Sequence, residues 1–181
     1  ASGFVAMALV GVAAMAMGVQ DLNLALACLS LAAAVLGFWI INWPWGKIFL
    51  GDGGSYFGGF ALAWACVLLI ERNEGITAFA PLLMCIHTVT EVLFSIYRRK
   101  LRQSHPGHPD RLHLHSLVKR RLIRRLLPHA GQLTRNSVTG ASMWLAAAVP
   151  VLLAIQWADN TPLLVASFIF CIFLYSATYA R

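Results

Sequence analysis

Six long apolar runs constrain this 181-residue chain more than any other feature of its sequence. They cover roughly residues 4–20, 22–41, 55–71, 76–97, 138–157 and 162–180. Each run is close to the length of about 20 residues that a helix needs to cross the hydrocarbon core of a bilayer. Backbone groups inside a bilayer must be hydrogen-bonded internally, and a helix does this within one segment. The sequence therefore predicts an all-α polytopic membrane protein with about six transmembrane helices.

The distribution of charge predicts which loops face the cytoplasm. The chain is 59% hydrophobic and only 12% charged, which excludes an ordinary soluble domain. If the six spans alternate in direction, 13 of the 14 Lys and Arg residues fall on one side, with only Arg72 opposite. Basic residues concentrate in cytoplasmic loops, so the loops at residues 42–55 and 98–137 are predicted to be cytoplasmic. The net charge of +7 then favours a bilayer surface or a phosphorylated substrate over a nucleic acid.

Residues 42–55, the Gly-Asp loop, read Asn-Trp-Pro-Trp-Gly-Lys-Ile-Phe-Leu-Gly-Asp-Gly-Gly-Ser and contain one carboxylate, Asp52, among four glycines. Glycines allow positive φ and bring backbone N–H groups close to an anion. Ser55 is predicted to cap the following helix, whose N-terminal end would attract phosphate. A carboxylate beside such a site suits Mg²⁺ shared with a substrate phosphate. The alternative interpretation is a glycine-rich turn between two membrane helices.

The fourth apolar run contains the ionisable residues Glu91 and His87. An ionisable group within a span usually faces a polar cavity, which makes Glu91 a candidate site residue. The alternative is a buried structural carboxylate paired with a neighbouring helix. His87, four residues earlier, is interpreted as a core histidine.

The basic loop carries a second polar cluster, in which His113 and His115 flank Leu114. Two histidines at this spacing share a side only if the segment is extended, because on a helix they diverge by about 200°. Such histidines could bind a metal or, when protonated, a phosphate. Residues 117–127 combine leucines with arginines and predict an amphipathic helix that lies on an anionic membrane surface.

Three segments of the chain together resemble a known enzyme family. They are Asn42-Trp-Pro with Ile48-Phe-Leu-Gly-Asp-Gly-Gly-Ser55, then Tyr97-Arg-Arg-Lys100, then Pro109-Asp-Arg-Leu-His-Leu-His115. In this order they are similar to the second half of the polyprenyl-phosphate N-acetylhexosamine-1-phosphate transferases, the MraY and WecA type enzymes of glycosyltransferase family 4. The likeness covers nearly all of the chain, topology included.

The resemblance implies a Mg²⁺-dependent phosphotransferase of the bacterial inner membrane with its active site on the cytoplasmic face. Such an enzyme moves a sugar-1-phosphate from a UDP-amino sugar to undecaprenyl phosphate and releases UMP. This reaction starts the synthesis of peptidoglycan or of other cell-envelope polysaccharides, including lipopolysaccharide O-antigen. The resemblance implies no nucleic-acid partner and is compatible with a homodimer.

The resemblance also assigns roles to individual residues. Asp52 corresponds to the metal ligand, and His113 and His115 to a catalytic segment near the diphosphate. Substrate-binding roles are implied for Asn42, Gly51, Gly53, Gly54, Ser55, Arg98, Arg99, Asp110 and Arg111. Two positions depart from the family pattern: Ser116 stands where WecA-type members often have a further histidine, and Glu91 stands where an aspartate is expected.

The family's adjacent aspartate pair and its Asn-rich segment do not occur in these 181 residues. We therefore expect residues 1–181 to be the C-terminal part of a single transmembrane domain, without the N-terminal half of the active site and inactive alone.

Two hypotheses from other classes remain open at this point. A transporter or channel fragment could use Glu91 and His87 as an ion path through the helices. A membrane adaptor could use the basic loop to bind lipid headgroups. The transporter predicts broken helices with polar groups near mid-membrane, whereas the adaptor leaves the Gly-Asp loop unexplained.

Overall fold

The computed structural model describes residues 2–101 and 113–180, and every regular element within these two ranges is helical. The elements are α1 (Ser2–Gly18), α2 (Leu22–Asn42), α3 (Gly51–Arg72), α4 (Phe79–Met84), α5 (Ile86–Leu101), α6 (Leu114–Val118), a π-helical turn (Lys119–Ile123), α7 (Arg124–Leu126), α8 (Gln132–Gln156) and α9 (Thr161–Ala180). The predicted all-α polytopic membrane fold is confirmed.

Four of the described helices, α2, α3, α8 and α9, are long and apolar enough to cross a membrane. The first predicted span forms α1, an apolar helix of 17 residues. The fourth predicted span differs from the expectation of one continuous helix, because Cys85 separates α4 from α5. Its backbone lies at φ −87° and ψ 0°, outside the helical region, and this breaks the helix near the middle of the run.

Helix α1 lies at the centre of the bundle. It is apolar on all sides, as expected for a helix surrounded by other helices, and it packs against α2, α3, α4 and α8. Small side chains allow this close approach. At Gly11, an added Cβ would lie 2.8 Å from the Met84 sulfur of α4 and 2.8 Å from a methyl carbon of Val151 in α8.

Polar contacts between loops show which helix ends lie on the same side of the bundle. On one side Arg72 forms an ion pair of 3.1 Å with Asp21, and the Thr77 N–H donates to the Ala158 carbonyl at 3.0 Å. On the other side the Ser137 hydroxyl donates to the Pro44 carbonyl at 3.3 Å. These contacts agree with the predicted alternation of the spans, and they bring the Gly-Asp loop next to the start of α8.

The predicted amphipathic helix at residues 117–127 is helical in the structure but is not a single regular α-helix, since the π-helical turn interrupts it. Leu114, Leu117 and Ile123 are buried, and the segment packs on α8. Leu122 and Leu126 stay exposed. Packing against α8 therefore uses part of the apolar surface that the sequence pattern assigned to the membrane.

Candidate active site

The Gly-Asp loop is closed by Asn42, the last residue of α2. Its side-chain Oδ1 accepts a hydrogen bond of 3.2 Å from the Ile48 N–H, and its carbonyl accepts one of 2.5 Å from the Gly46 N–H. Gly46 has φ +64°, a conformation that glycine adopts without strain. Asn42 thus fixes the path of the chain from α2 towards α3.

Helix α3 begins at Gly51, four residues before the predicted start. Gly51 has φ +68°, which lets the chain turn directly into the helix. The prediction that Ser55 caps this helix is wrong, because Ser55 lies inside it and its hydroxyl donates to the Gly51 carbonyl at 2.7 Å. Gly53 and Gly54 are helical, and the Gly53 N–H is one of the first-turn groups for which the helix itself provides no acceptor.

Asp52 lies in the first turn of α3 and is exposed. Within residues 2–101 and 113–180, its carboxylate makes no hydrogen bond or ion pair. A negative charge at a helix N-terminus is stabilised by the helix dipole. The carboxylate is therefore open to a ligand rather than held by a neighbouring side chain.

In the histidine segment, residues 113–115 of the basic loop, the two histidine rings stack on each other. Their ring centroids are 5.7 Å apart and the ring planes differ by 11°. His113 has an extended backbone, with φ −64° and ψ 147°, and α6 begins at the next residue. The sequence associated a shared side with an extended segment, whereas in the structure only His113 is extended and His115 lies inside α6, and the two rings still stack.

Glu91 of α5 joins the histidine segment to the helix bundle. Its Oε1 lies 2.8 Å from His113 Nδ1 and accepts the Leu114 N–H at 3.0 Å. Its Oε2 accepts the Tyr175 hydroxyl of α9 at 2.6 Å. One carboxylate therefore connects α5, α6 and α9.

A cavity of about 860 Å³ lies between α1, α3, α5 and α8, and α6 and the π-helical turn line its polar end. The polar side chains around it are Ser55, His87, Thr88, Glu91, His115, Ser116, Lys119, Asn136 and Thr139. Apolar residues such as Phe4, Leu62 and Met143 form much of the remaining wall. Ser55 and His115 thus bring the end of the Gly-Asp loop and the histidine segment to one cavity. Asp52 and His113 do not line it, and Asp52 precedes Ser55 by about one helical turn.

The environment of the cavity affects His115. Desolvation of part of the ring, and next the neighbouring His113, lower the pKa of His115 below its ordinary value of 6.5. A lowered pKa favours the neutral imidazole at neutral pH. His115 is thus able to act as a hydrogen-bond donor or acceptor there.

Arg98 and Arg99 lie in the last turn of α5. The Arg98 guanidinium donates to the Tyr179 hydroxyl and lies 4.9 Å from the centre of that ring. Arg98 therefore holds the end of α5 against α9. Asp110 and Arg111, also predicted to bind substrate, lie outside the described residues.

The described residues contain no group of three or more His, Cys, Asp or Glu side chains arranged to hold a metal ion. Mg²⁺ does not require such a cage, because it commonly binds one or two carboxylates together with water and substrate phosphates. The open carboxylate of Asp52, beside free N–H groups, fits this kind of shared site.

Several polar residues of this region were not predicted as site residues from the sequence, among them Tyr175, Lys119 and Asn136. Tyr175 binds Glu91, and Lys119 and Asn136 line the cavity. Tyr175 and Tyr179 are four residues apart in the last span and therefore share a helix face, a signal that the sequence did contain. No pattern in the sequence distinguished Lys119 from the basic residues around it.

These features define an all-α, multi-pass membrane protein with a polar site where two loops meet the bundle. Residues 1–70 match the model of glycosyl transferase family 4. The resemblance to this family is thereby confirmed over residues 1–70.

Curated relatives support the same assignment. The chain is 29% identical over 171 residues to the undecaprenyl-phosphate alpha-N-acetylglucosaminyl 1-phosphate transferase of Pasteurella multocida, covering 90% of this chain and 45% of that protein. The transferase of the same name from Thermotoga maritima is 34% identical over 51% of this chain and 31% of the relative. The one from Escherichia coli is 30% identical over 54% of this chain and 28% of the relative. The chain thus spans less than half the length of these relatives. No solved structure matches the chain significantly.

Proposed function

We propose that the protein transfers N-acetylglucosamine 1-phosphate, or a related amino-sugar 1-phosphate, from its UDP derivative to undecaprenyl phosphate. A phosphate oxygen of the lipid forms a bond to the β-phosphorus of the UDP-sugar, and the bond from that phosphorus to the bridging oxygen breaks. UMP leaves with the bridging oxygen, and the sugar stays joined to its own phosphate on the lipid. The names of the three relatives above describe this reaction and support the proposal.

The observation that carries the proposal is the meeting of the Gly-Asp loop and the histidine segment at one cavity. Ser55 of the loop helix and His115 of the histidine segment both line this cavity. Phosphoryl transfer requires positioning and charge neutralisation more than covalent help from the protein. An open carboxylate, free helix N–H groups, two histidines and Lys119 provide groups of this kind.

Each group has a role in the proposed reaction. Asp52 is the residue that would hold Mg²⁺, which neutralises charge on the diphosphate when bound. The N–H groups of Gly53 and Gly54 lie at the positive end of α3, where a phosphate oxygen is stabilised. His113 and His115 hydrogen-bond the transferring phosphate. Arg99, Asp110 and Arg111 remain proposed substrate contacts on the strength of the resemblance alone.

The site is proposed to face the cytoplasm of the bacterial inner membrane, because basic residues dominate this side of the protein. In this proposal the UDP-sugar reaches the site from the cytoplasm, and the lipid phosphate reaches it from the bilayer. The apolar wall of the cavity is compatible with a lipid substrate.

The structure contains one feature that the transporter hypothesis predicts, a broken helix, because α4 and α5 are separated at Cys85. Its proposed ion carrier, Glu91, is however bound to His113, Leu114 and Tyr175. A carboxylate held by three donors is unsuited to releasing and accepting ions. We therefore favour the transferase.

The test is a transfer assay on the natural gene product with undecaprenyl phosphate, Mg²⁺ and UDP-N-acetylglucosamine labelled at the β-phosphate. The label should move to the lipid fraction while UMP is released in equal amount. Replacing UDP-N-acetylglucosamine by other UDP-amino sugars then identifies the preferred donor. Release of UDP with label left in the water-soluble fraction would show glycosyl transfer instead and would contradict the proposal.

A further inference from the structure

We infer that Glu91 is a positioning residue for the histidine segment: it sets the tautomer of His113, starts α6 and holds both against α9. This inference rests on the proposed function for its catalytic consequence, but its structural content stands on the contacts alone. It decides between the two interpretations that the sequence left open for Glu91.

The first step concerns the proton on His113. An ionised carboxylate can only accept hydrogen bonds, and Glu91 Oε1 lies 2.8 Å from His113 Nδ1. Nδ1 must therefore carry the hydrogen. The opposite ring nitrogen, Nε2, is then left as the atom with a lone pair or, after protonation, as a second donor. A carboxylate fixes the working nitrogen of histidine in this way in many metal and catalytic sites.

The second step concerns the start of α6. The same Oε1 also accepts the Leu114 N–H at 3.0 Å, and Leu114 is the first residue of α6. This N–H has no acceptor within the helix. Glu91 therefore acts as a cap from a distant helix, 23 residues earlier in the chain. It fixes where the backbone changes from extended to helical, and this change produces the stacking of His113 on His115.

The third step concerns the support of Glu91 itself. Its Oε2 accepts the Tyr175 hydroxyl at 2.6 Å, and its side chain is only 19% exposed. Tyr175 is 7% exposed and packs against Phe94 with the ring centroids 5.1 Å apart. The carboxylate is thus held by α9 through Oε2, which also accepts the Leu114 N–H at 3.3 Å, while Oε1 makes the shorter contacts with the histidine segment.

Oε1 contacts His113, whereas Oε2 contacts Tyr175. A glutamine at position 91 can therefore test the inference, because its single oxygen can take the place of Oε1. In E91Q the amide oxygen can still accept from His113 and Leu114, while the amide NH₂ faces the Tyr175 oxygen, which can accept. E91Q should therefore keep the Nδ1–H tautomer of His113 and most of the transfer rate. E91A removes the acceptor, so His113 should change to the Nε2–H tautomer and kcat should fall by about 10- to 100-fold, the usual effect of losing such a supporting group.

The tautomer is measured by ¹⁵N NMR of histidine-labelled natural gene product in detergent, with the His113 signal assigned by its loss in H113Q. E74A is the matched control, since Glu74 is exposed on the opposite side of the bundle, and it should change neither the spectrum nor the rate. Y175F should keep the His113 tautomer, because it leaves Oε1 untouched. E91D retracts the carboxylate from His113 and tests the same point if E91A does not fold.

Two results would overturn the inference. One is an unchanged Nδ1–H signal for His113 in folded E91A or E91D. The other is a loss of rate in E91Q as large as in E91A, which would make Glu91 a base or a ligand that touches the reactants. The spectrum does not depend on turnover, so a parent protein without transferase activity would refute the proposed function and leave the positioning of His113 still measurable.

Discussion

Asp52 and Glu91 are two carboxylates of the candidate site region whose surroundings differ. Asp52 is exposed and has no partner among the described residues, whereas Glu91 accepts hydrogen bonds from the histidine segment and from α9. A carboxylate without protein partners can bind a cation together with water and substrate phosphates. One that is saturated by donors can orient its neighbours but has little capacity left for a ligand. This contrast allows separate predictions for the two residues.

The prediction for Asp52 concerns D52N in the natural gene product. Asparagine keeps the shape but removes the charge, and loss of a principal metal ligand commonly costs several kcal/mol of transition-state stabilisation. The transfer rate should fall by about a thousandfold, since each 1.36 kcal/mol changes a rate tenfold. Thermal stability should change little because Asp52 is exposed. Initial rates over a Mg²⁺ titration measure the effect.

D159N is the control for D52N, because Asp159 is an exposed aspartate on the opposite side. It should leave the rate and the Mg²⁺ dependence unchanged. Near-normal turnover of D52N with the same Mg²⁺ dependence would show that Asp52 is only a residue of the turn.

The prediction for His115 concerns pH. The pKa of His115 is lower in the folded protein than its ordinary value of 6.5, so protonation is less favourable in the folded state than in the unfolded state. Its contribution to stability is therefore present above about pH 6.5 and is lost as the pH falls below that value. H115N, which cannot be protonated there, should show a smaller fall in melting temperature between pH 7 and pH 5.

Thermal unfolding in detergent at several pH values measures this difference. H129N serves as the comparison, since His129 is exposed in the loop before α8. An equal fall in melting temperature for the parent and H115N would contradict the pKa shift.

At the scale of the helices, the sequence predicted most of the fold and only part of the site. The apolar runs predicted the long helices correctly, because a backbone in lipid must satisfy its own hydrogen bonds. The start of α3 at Gly51 and the break at Cys85 were missed, since each depends on local backbone conformation that hydropathy does not encode. For Glu91 the sequence left two interpretations open and could not name its partners, because His113 and Tyr175 lie 22 and 84 residues away in sequence.

A prediction at this scale tests the crossing of α1 with α4 and α8. G11A adds a methyl group that would lie 2.8 Å from the Met84 sulfur and 2.8 Å from a Val151 methyl carbon. The Met84 side chain can move, but the β-branched Val151 is restricted at χ1, so α8 must shift. Overpacking of this kind costs about 1–3 kcal/mol, and the melting temperature should fall by several degrees.

G18A is the matched control in the same helix, because nothing lies within 4 Å of a Cβ added at Gly18. Alanine favours a helix over glycine, so G18A should be neutral or slightly stabilising. A melting temperature for G11A equal to that of G18A would show that α1 does not cross α4 and α8 this closely.

At the scale of the whole molecule, the two sides of the bundle have opposite characters. One side carries the Gly-Asp loop, the histidine segment and nearly all the basic residues, and the other carries Arg72 with Asp21, Glu71, Glu74 and Asp159. A UDP-sugar is highly charged, so it must reach the site from water on the basic side. The proposed function therefore requires that the basic side faces the cytoplasm, where the positive-inside rule also places it.

The corresponding prediction concerns sidedness and uses single cysteines in a parent from which every native cysteine, including the four of this chain, has been replaced by alanine. E74C and D159C should react with a membrane-impermeant maleimide in intact cells, because both positions are exposed on the acidic side. G53C and H129C, exposed on the basic side, should react only after the membrane is permeabilised. The cysteine-free parent is the control for background labelling.

If positions 53 and 129 react in intact cells while 74 and 159 do not, the orientation is inverted and the site cannot receive a cytoplasmic UDP-sugar. Such an outcome would refute the proposed transfer reaction even if the fold and the contacts of the site are correct, since the donor would lie on the wrong side of the membrane.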